Sequence, residues 1–381
     1  MVFDRLIKFF TSLKLTVVCL GFAILLVFLG TLAQVDLGLY KAQNEFFRSF
    51  VVFWGPKSAT WRIPILPGGY LVGGVLLINL VASHIMRFKL TRSKIGIWLT
   101  HFGLILLLLG QLGTDMLSRE STLHLREGEA SNYSESSRQV ELAVSDTTDP
   151  DTDKVVAIAQ HALTHGREIH AADLPFAIRV KRFFANSSLK DRREGDTEPP
   201  PVTQGFGTRA VIQELPRETE MDQRDIPSAI VEIQAPDKSL GTWLVSEYIK
   251  PIQDFTYQGR TYKLELRPRR YYQPFTLKLL EFRHDVYAGT DTPKNFSSRV
   301  QLQAPSGDDR EVKIYMNNPL RYAGETFYQA SFDQDNHGTV LQVVHNPSWL
   351  TPYFSCILVG VGLVIQFMTH LFGFSFKRRT A

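Results

Sequence analysis

The sequence predicts an integral membrane protein with four α-helical spans and a large β-rich extracytoplasmic domain between the third and fourth spans. Three observations predict this fold class. The mean hydropathy of the 381 residues is only -0.07, but the apolar residues concentrate in three runs within the first 116 residues and in one run near the end. Between them, apolar and polar residues alternate over about 235 residues, enough for a sizeable core. Basic residues flank the apolar runs. This composition excludes intrinsic disorder, collagen-like repeats and a small disulfide scaffold.

Each apolar run is long enough for a transmembrane helix, because about 20 mostly apolar residues cross a hydrocarbon core of about 30 Å. The runs contain no Lys, Arg, Asp or Glu and cover residues 15–32, 70–86, 95–112 and 353–376. The first run is longer than the h-region of a usual signal peptide, about 7–15 residues. We therefore expect an uncleaved helix, with cleavage near residues 31–33 as the alternative. The predicted domains are a membrane region at 1–116, a β-rich domain at 117–350, and a fourth helix with a basic tail at 351–381.

Lys and Arg in the short flanks of the runs predict the orientation, because such residues are retained on the cytoplasmic side. Ten of them lie before the first run, between the second and third runs, and after the fourth run: Arg5, Lys8, Lys14, Arg87, Lys89, Arg92, Lys94, Lys377, Arg378 and Arg379. The longer connector 33–69 carries only four. We expect both termini in the cytoplasm and the segment 116–352 on the other side. The mild net charge of +4 is then explained by topology, and nucleic acid is not an expected partner.

The exported segment is predicted to be β-rich because its apolar residues recur with a period of two. The alternation is clearest at 209–213, 229–233, 262–266, 275–282, 312–316 and 340–344. Turn signals occur at 305–308 and 323–324. Two polar stretches, 146–153 and 186–207, are predicted to be loops.

The sequence contains no pattern typical of an enzyme active site. It has no GxSxG, Walker, HExxH or kinase motif, so no catalytic residue is predicted. Cys19 and Cys356 lie in apolar runs without a CxxC, which excludes a disulfide framework and a thioredoxin-like motif. His161 and His165 share a helix face if that segment is helical, but without a third ligand a solvated surface is favoured over a metal site. Glycines at 68–69 and 73–74 favour close packing over a phosphate cradle.

Three histidines in the spans are the candidate functional residues. His84, His101 and His370 each lie near the predicted cytoplasmic end of a span. Ionisable side chains in spans usually face a bundle interior or a cavity, and imidazole is a good ligand for haem iron. Contact with lipid headgroups is the alternative. In the exported domain, four arginines are candidates for binding acidic groups, although a solvated strand face is favoured: Arg267, Arg269, Arg270 and Arg283.

The chain resembles the ResB family, also called CcsB, of system II cytochrome c biogenesis proteins, and the resemblance covers nearly the whole chain. It rests in the membrane region on residues 15–16, 30–34, 46–49, 66–70 and 101–110, and in the exported domain on residues 287–298, 315–320 and 324–331. His101 opens the string HFGLILLLLG of the third span. The strings are specific together with the layout of three spans, a domain and a fourth span.

The resemblance implies a role in the bacterial inner membrane beside a second protein, CcsA or ResC, whose tryptophan-rich loop binds haem. The pair delivers haem b, the transported substrate, across the membrane and supports its thioether attachment to CxxCH of apocytochrome c. Thiol-reducing proteins of the pathway are further implied partners. The family places a haem-ligating histidine in a span, and His101 matches that position best by its local motif, with His84 second.

The tryptophans are scattered through the sequence, so this chain is expected to be the unfused subunit of the synthase (haem lyase) that lacks the tryptophan-rich loop and is not catalytic alone. Its exported domain is expected to hold or dock apocytochrome. Two alternatives remain open: a membrane-anchored sensor or scaffold that binds a ligand without haem, and a transporter of a small solute. The transporter ranks last because four spans with few polar groups make a poor pore.

Overall fold

The computed structural model of the chain describes residues 2–56, 61–87, 91, 94–163, 168–193, 201–220, 223–290 and 293–379. These residues form two compact units. The helical unit comprises segments from 1–119, 219–221 and 345–381, and the β unit comprises segments from 120–218 and 222–344.

The helical unit is built from long apolar helices and one small hairpin. Its elements are α1 (Val2–Phe10), α2 (Leu13–Leu37), α3 (Leu39–Ala42), a π-helical turn (Gln43–Phe47), β1 (Val51–Trp54), β2 (Ile63–Pro67), α4 (Gly69–Arg87), α5 (Ile95–Leu117) and α7 (Thr351–Arg379). Within the described residues, α2, α4, α5 and α7 are the helices long and apolar enough to cross a membrane. The predicted combination of four apolar helices with a β-rich domain fits the structure.

Glycines bring α5 and α7 into close contact. A Cβ added at Gly103 would lie 2.7 Å from Val359 Cγ2 and 2.9 Å from the Ser355 carbonyl oxygen. A Cβ added at Gly96 would lie 2.7 Å from the backbone nitrogen of Gln366. Helices associate in this way in membranes, where small residues let backbones approach and van der Waals packing supplies the attraction.

Asn79 of α4 connects three segments of the helical unit. Its side chain is buried, accepts a 2.6 Å hydrogen bond from the Thr16 hydroxyl of α2, and donates to the carbonyls of Phe10 and Ser12. The two carbonyls lie at the break between α1 and α2, and that of Ser12 also accepts the backbone N–H groups of Leu15 and Thr16. Gln111, a polar amide of α5, is exposed instead.

The paired glycines before and within α4 have different roles. A Cβ at Gly68 would lie 2.2 Å from the Ser49 carbonyl oxygen, and one at Gly69 would lie 2.3 Å from that of Phe47. A Cβ at Gly73 or Gly74 would meet no atom within 4 Å. The expected close packing is therefore present at Gly68 and Gly69, and the expectation is wrong for Gly73 and Gly74, which lie on an open helix surface.

The β unit consists of antiparallel sheets with one short helix, α6 (Gln160–Leu163). Its strands are β3 (Arg119–Arg126), β4 (Ala130–Asp146), β5 (Lys154–Ala159), β6 (Glu168–Ile169), β7 (Ala177–Phe184), β8 (Ser187–Asp191), β9 (Ala210–Glu214), β10 (Ser228–Gln234), β11 (Ser239–Ser246), β12 (Gln253–Tyr257), β13 (Arg260–Val286), β14 (Pro293–Gln303), β15 (Asp309–Tyr315), β16 (Leu320–Tyr322), β17 (Glu325–Phe332) and β18 (Gly338–His345).

The strands form a large sheet, a four-stranded sheet and a hairpin. The large sheet has the order β15-β14-β13-β4-β3-β18-β17-β16, with β12 beside β13 and β5 beside β4. The four-stranded sheet has the order β11-β10-β7-β6, and β8 pairs with β9. Side chains of both sheets share one hydrophobic core, which includes Leu142, Ile178, Val231 and Leu264. A second core, around Leu279, Val300 and Phe327, lies beneath the strands at the other end of β13.

The period of two located the strands of this unit well, with one error. The turns at 305–308 and 323–324 are present, with Ala323 and Gly324 both at positive φ. The predicted loop 186–207 is wrong where it includes β8, because Ser187–Asp191 pairs residue by residue with Ala210–Glu214. Residues 194–200 of that stretch lie outside the described part of the chain.

Candidate functional site

Two of the three candidate histidines lie together at one end of the helical unit. His84 is in the last turn of α4, and His101 is in the second turn of α5. Seven residues separate the two helices, so the end of the first and the start of the second are held near each other. The proximity of His84 and His101 is therefore a consequence of a short interhelical connection.

The sequence of α5 divides the helix into two faces. Successive residues turn by about 100° around an α-helix, so Gly96 and Gly103 share one face, and Trp98 and His101 share a face roughly opposite. The glycine face packs on α7. The other face carries the two rings that contact His84 of α4.

The three rings form a compact aromatic group. The ring centroids of His84 and His101 are 6.2 Å apart with an interplanar angle of 66°. The centroid of the His84 ring lies 3.7 Å from that of Trp98, in an edge-on arrangement. Only 6% of the His84 surface is exposed, so Trp98 and the two helices shield this imidazole from solvent. We call His84, Trp98 and His101 the histidine pair site.

His370 is not brought into this group by any contact that the structure describes. Its Nε2 lies 2.7 Å from Nε2 of Gln366, one turn earlier in α7, and its side chain is exposed. Gln366 itself lies against Gly96 of α5. His370 is therefore near the same end of the helical bundle but faces outward.

Trp98 is the residue of the site that the sequence analysis missed. The tryptophans are scattered along the sequence, but Trp98 precedes the candidate ligand His101 by three residues. This spacing places two side chains together on a helix. Its indole Nε1–H is shielded from solvent and has no hydrogen-bond acceptor among the described residues. The spacing to His101 was the available signal.

The histidine pair site has the chemistry of a ligand site for a large flat metal complex. It offers two imidazoles, which bind iron in their neutral form, and an indole whose face and N–H add apolar contact and one donor. It lies between apolar helices. The described residues contain no group of three or more His, Cys, Asp or Glu side chains arranged to hold a metal ion.

The histidines considered for a metal in the exported segment do not form such a site in the described chain. His161 is exposed on α6, and His165 lies outside the described residues.

The candidate arginines of the β unit are occupied by acidic and aromatic neighbours. Arg267 lies 3.0 Å from Glu141 and is buried, which corrects the expectation that it lies on a solvated face. Similar contacts hold the other three: Arg270 with Glu135 and the Tyr133 ring, Arg269 with Gln139 and the Tyr271 ring, and Arg283 with Glu281. The hydrogen bond from Arg283 lowers the pKa of the Glu281 carboxyl. The contacts of Arg267, Arg269 and Arg270 join β13 to β4, that of Arg283 lies within β13, and all four leave little free positive charge for a ligand.

The comparisons with known proteins agree with the resemblance found in the sequence. Residues 253–340, from β12 into β18, match the model of the ResB-like family. Over 296 residues, 76% of this chain, the sequence is 27% identical to Protein NrfI of Wolinella succinogenes. The chain spans 29% of the length of NrfI. The predicted resemblance to the ResB family is thereby confirmed, and the family match itself lies in the β unit.

Proposed function

We propose that this chain is a cytochrome c biogenesis subunit that works with a CcsA- or ResC-type membrane protein to deliver haem across the membrane. The ResB-like segment and the similarity to NrfI support the role in cytochrome c biogenesis. The four apolar helices support a place in a membrane. In this proposal α2, α4, α5 and α7 cross the bacterial inner membrane, both termini are cytoplasmic, and the β unit faces the periplasmic or outer side.

The observation that carries the haem proposal is the meeting of His84 and His101 at one end of the helical unit. A metal–imidazole bond is about 2 Å long. Two rings with centroids 6.2 Å apart are close enough for both imidazoles to approach one iron. We assign His101 as the primary axial ligand and His84, with Trp98 against it, as its neighbour and second ligand.

The residues of the site would hold and orient the substrate rather than transform it. A neutral imidazole fixes the iron and tunes its potential, and the apolar helices accept the porphyrin face. Because the basic connector 87–94 adjoins this end, haem propionates would find cations at the cytoplasmic entrance. In this proposal haem binds first at the histidine pair site and then passes to the partner.

The covalent step belongs to the complex and to apocytochrome c. Each cysteine thiol of CxxCH adds across one vinyl double bond: a sulfur–carbon bond forms and the thiol hydrogen goes to the other vinyl carbon. The addition consumes no oxidant or reductant, but both cysteines must arrive reduced, which is the task of thiol-reducing proteins. This chain has its own two cysteines in its apolar helices and contributes neither to such chemistry.

The test is the absorption spectrum of the detergent-purified chain, coexpressed with its CcsA-type partner, in four forms: wild type, His101→Ala, His84→Ala and His370→Ala. We expect His101→Ala to retain at least roughly tenfold less haem, since loss of even an outer-shell partner of a metal costs about 10–100-fold in affinity. His84→Ala should lose part of the haem. Added imidazole should restore the Soret band of His101→Ala by filling the vacated ligand position.

His370→Ala is the matched control, because His370 lies near the same end of the bundle but faces outward. Haem equally present in wild type and in both site variants would remove the histidine pair from the proposal. An intact complex without haem in any form would favour the scaffold alternative.

A further inference from the structure

The hairpin of the helical unit is fixed at the end opposite to the histidine pair site. The Gly68 N–H donates to the Phe50 carbonyl at 2.9 Å, and the Tyr70 N–H donates to that of Ser49 at 3.1 Å, so β2 leads directly into α4. Cβ atoms at Gly68 and Gly69 would clash with the same backbone. The hairpin is therefore a rigid extension of the first turn of α4.

A second attachment joins the hairpin to α5. Arg48 Nε lies 2.8 Å from a carboxylate oxygen of Asp115, which also accepts a hydrogen bond from the Tyr70 hydroxyl. Asp115 is in the last turn of α5 and is largely shielded from solvent. Since α4 begins and α5 ends here, the hairpin is held at the level where both helices leave the apolar layer.

The hairpin exposes large apolar side chains on both of its faces. Six of them are between 47% and 66% exposed: Phe50, Phe53, Trp54, Trp61, Ile63 and Ile65. Phe53 is opposite Pro64, and the next pair, Trp54 opposite Ile63, lies on the other face because side chains alternate along a strand. Val52 and Leu66 are packed against the helices, and the centroid of the Phe50 ring lies 5.8 Å from that of Tyr70 in α4.

We infer that this hairpin is inserted in the headgroup layer of the membrane on the extracytoplasmic side. The inference rests on the proposed crossing of the membrane by α2, α4, α5 and α7. A protein partner would cover only one apolar face of the hairpin, whereas lipid would surround both faces. The two-stranded hairpin also has open strand edges, whose N–H and C=O groups need water or headgroup partners and exclude the hydrocarbon core. Trp is enriched at this depth, and Arg62, which is 62% exposed and lies 3.9 Å from Glu45, has the long side chain that places a charge among headgroups.

The hairpin would thus set the depth and tilt of α4 in the membrane. Interfacial tryptophans act as anchors of this kind, and α4 carries His84 at its other end. Anchoring one end of α4 to the extracytoplasmic interface fixes the height of His84 near the cytoplasmic interface.

The test is tryptophan fluorescence of the full chain in nanodiscs made from lipids brominated near the headgroup, compared with unbrominated lipids. Single-tryptophan variants retain Trp54 or Trp61, with the other tryptophans replaced by Phe. We expect about twofold quenching of either residue, because an interfacial ring lies at the headgroup level. Lipids brominated at the chain ends should quench these residues less.

Two controls make the result decisive. A variant that retains only Trp243, which is buried in the β unit, should show no quenching, and its blue-shifted emission verifies the fold. Phe28→Trp in a chain without other tryptophans places an indole on the exposed side of α2. If this indole is quenched while Trp54 and Trp61 are not, the inference is overturned although the membrane crossing stands. If it is quenched neither by lipids brominated near the headgroup nor by lipids brominated at the chain ends, the crossing itself fails. Quenching of Trp54 and Trp61 that disappears when the CcsA-type partner is present would also overturn the inference, in favour of a protein-docking hairpin.

Discussion

At the scale of single residues, Asn79 joins α4 to the break between α1 and α2. Its amide accepts from the Thr16 hydroxyl and donates to two backbone carbonyls at the break. An apolar replacement removes all three hydrogen bonds and leaves the Ser12 carbonyl only its backbone donors, Leu15 and Thr16. In membranes such hydrogen bonds contribute about 0.6 kcal/mol on average and at most about 1.7 kcal/mol.

We predict that Asn79→Ala loosens α2 from α4. Cys19 of α2 is buried in the apolar cluster that joins these helices, so its alkylation rate reports their separation. In a Cys356→Ser background, the rate should rise at least about threefold, the factor for a single average hydrogen bond of about 0.6 kcal/mol, because the substitution removes three. Thr16→Val removes only one of the three hydrogen bonds and should give a smaller rise. Equal alkylation rates in Asn79→Ala and its parent would show that the amide does not hold α2.

The residues of the histidine pair site show what sequence can and cannot supply at this scale. Imidazole in a span is rare enough to be noticed, and the basic flanks predicted that His84, His101 and His370 lie at a similar depth. Depth does not determine which side of a helix faces the bundle. The outward position of His370 follows from the packing of α7 on α5, which a shared depth does not predict, whereas the spacing of Trp98 to His101 already indicated a common helix face.

At the scale of elements, the glycine face of α5 packs on α7 and thereby determines where the opposite face, with Trp98 and His101, is directed. Gly96, Gly103 and Gly110 repeat every seven residues, and each would clash with α7 if it carried a Cβ. The close contact fixes the rotation of α5 about its axis. That rotation directs Trp98 and His101 toward His84.

The glycine face predicts opposite effects for the same substitution at two positions. Gly→Ala within a helix is worth about 0.8–1 kcal/mol of intrinsic helix stability. At Gly74, where a Cβ meets no atom within 4 Å, we expect Ala to raise the midpoint of thermal unfolding in detergent. At Gly103 the new Cβ lies 2.9 Å from a backbone oxygen that cannot rotate away, and overpacking costs about 1–3 kcal/mol. Gly103→Ala should therefore lower the midpoint. A rise at both positions would mean that the α5–α7 contact is loose.

Some strands and some packing glycines cannot be predicted from the local sequence pattern alone. The alternation at 229–233 or 262–266 is strong because one side of each strand is buried in the core. Strand β8 reads Ser-Ser-Leu-Lys-Asp, with a single apolar residue, and is defined by its ladder with β9 rather than by its own sequence. Likewise, Gly73 and Gly74 look like packing glycines, but close approach depends on which neighbouring segment passes by, and none does there.

At the scale of the whole molecule, the two larger hydrophobic cores described in the β unit share its longest strand, β13. β13 contributes Leu264 to the first core and Leu279 to the second. Its ladder with β4 is interrupted between Pro268 and Arg270 and again between Tyr272 and Leu277, but pairing resumes on the far side. Two strands thus cross the boundary between the cores, which favours a single cooperative unit over two independent ones.

We predict that a destabilising substitution in either core increases the rate of hydrogen exchange in both. Leu264→Ala and Leu279→Ala each remove a fully buried side chain and should each cost about 2–5 kcal/mol. If the cores open together, the slowest-exchanging amides of both should then exchange at least about thirtyfold faster in either variant, the factor for 2 kcal/mol. Hydrogen exchange read by mass spectrometry on the full chain in detergent measures this at 262–266 and 275–282.

Val211→Ala, at a half-exposed position of β9, is the control and should change neither segment. Faster exchange confined to the truncated core would mean that the bulges of β13 decouple the two halves, and that a partner bound at one half cannot influence the other through this strand.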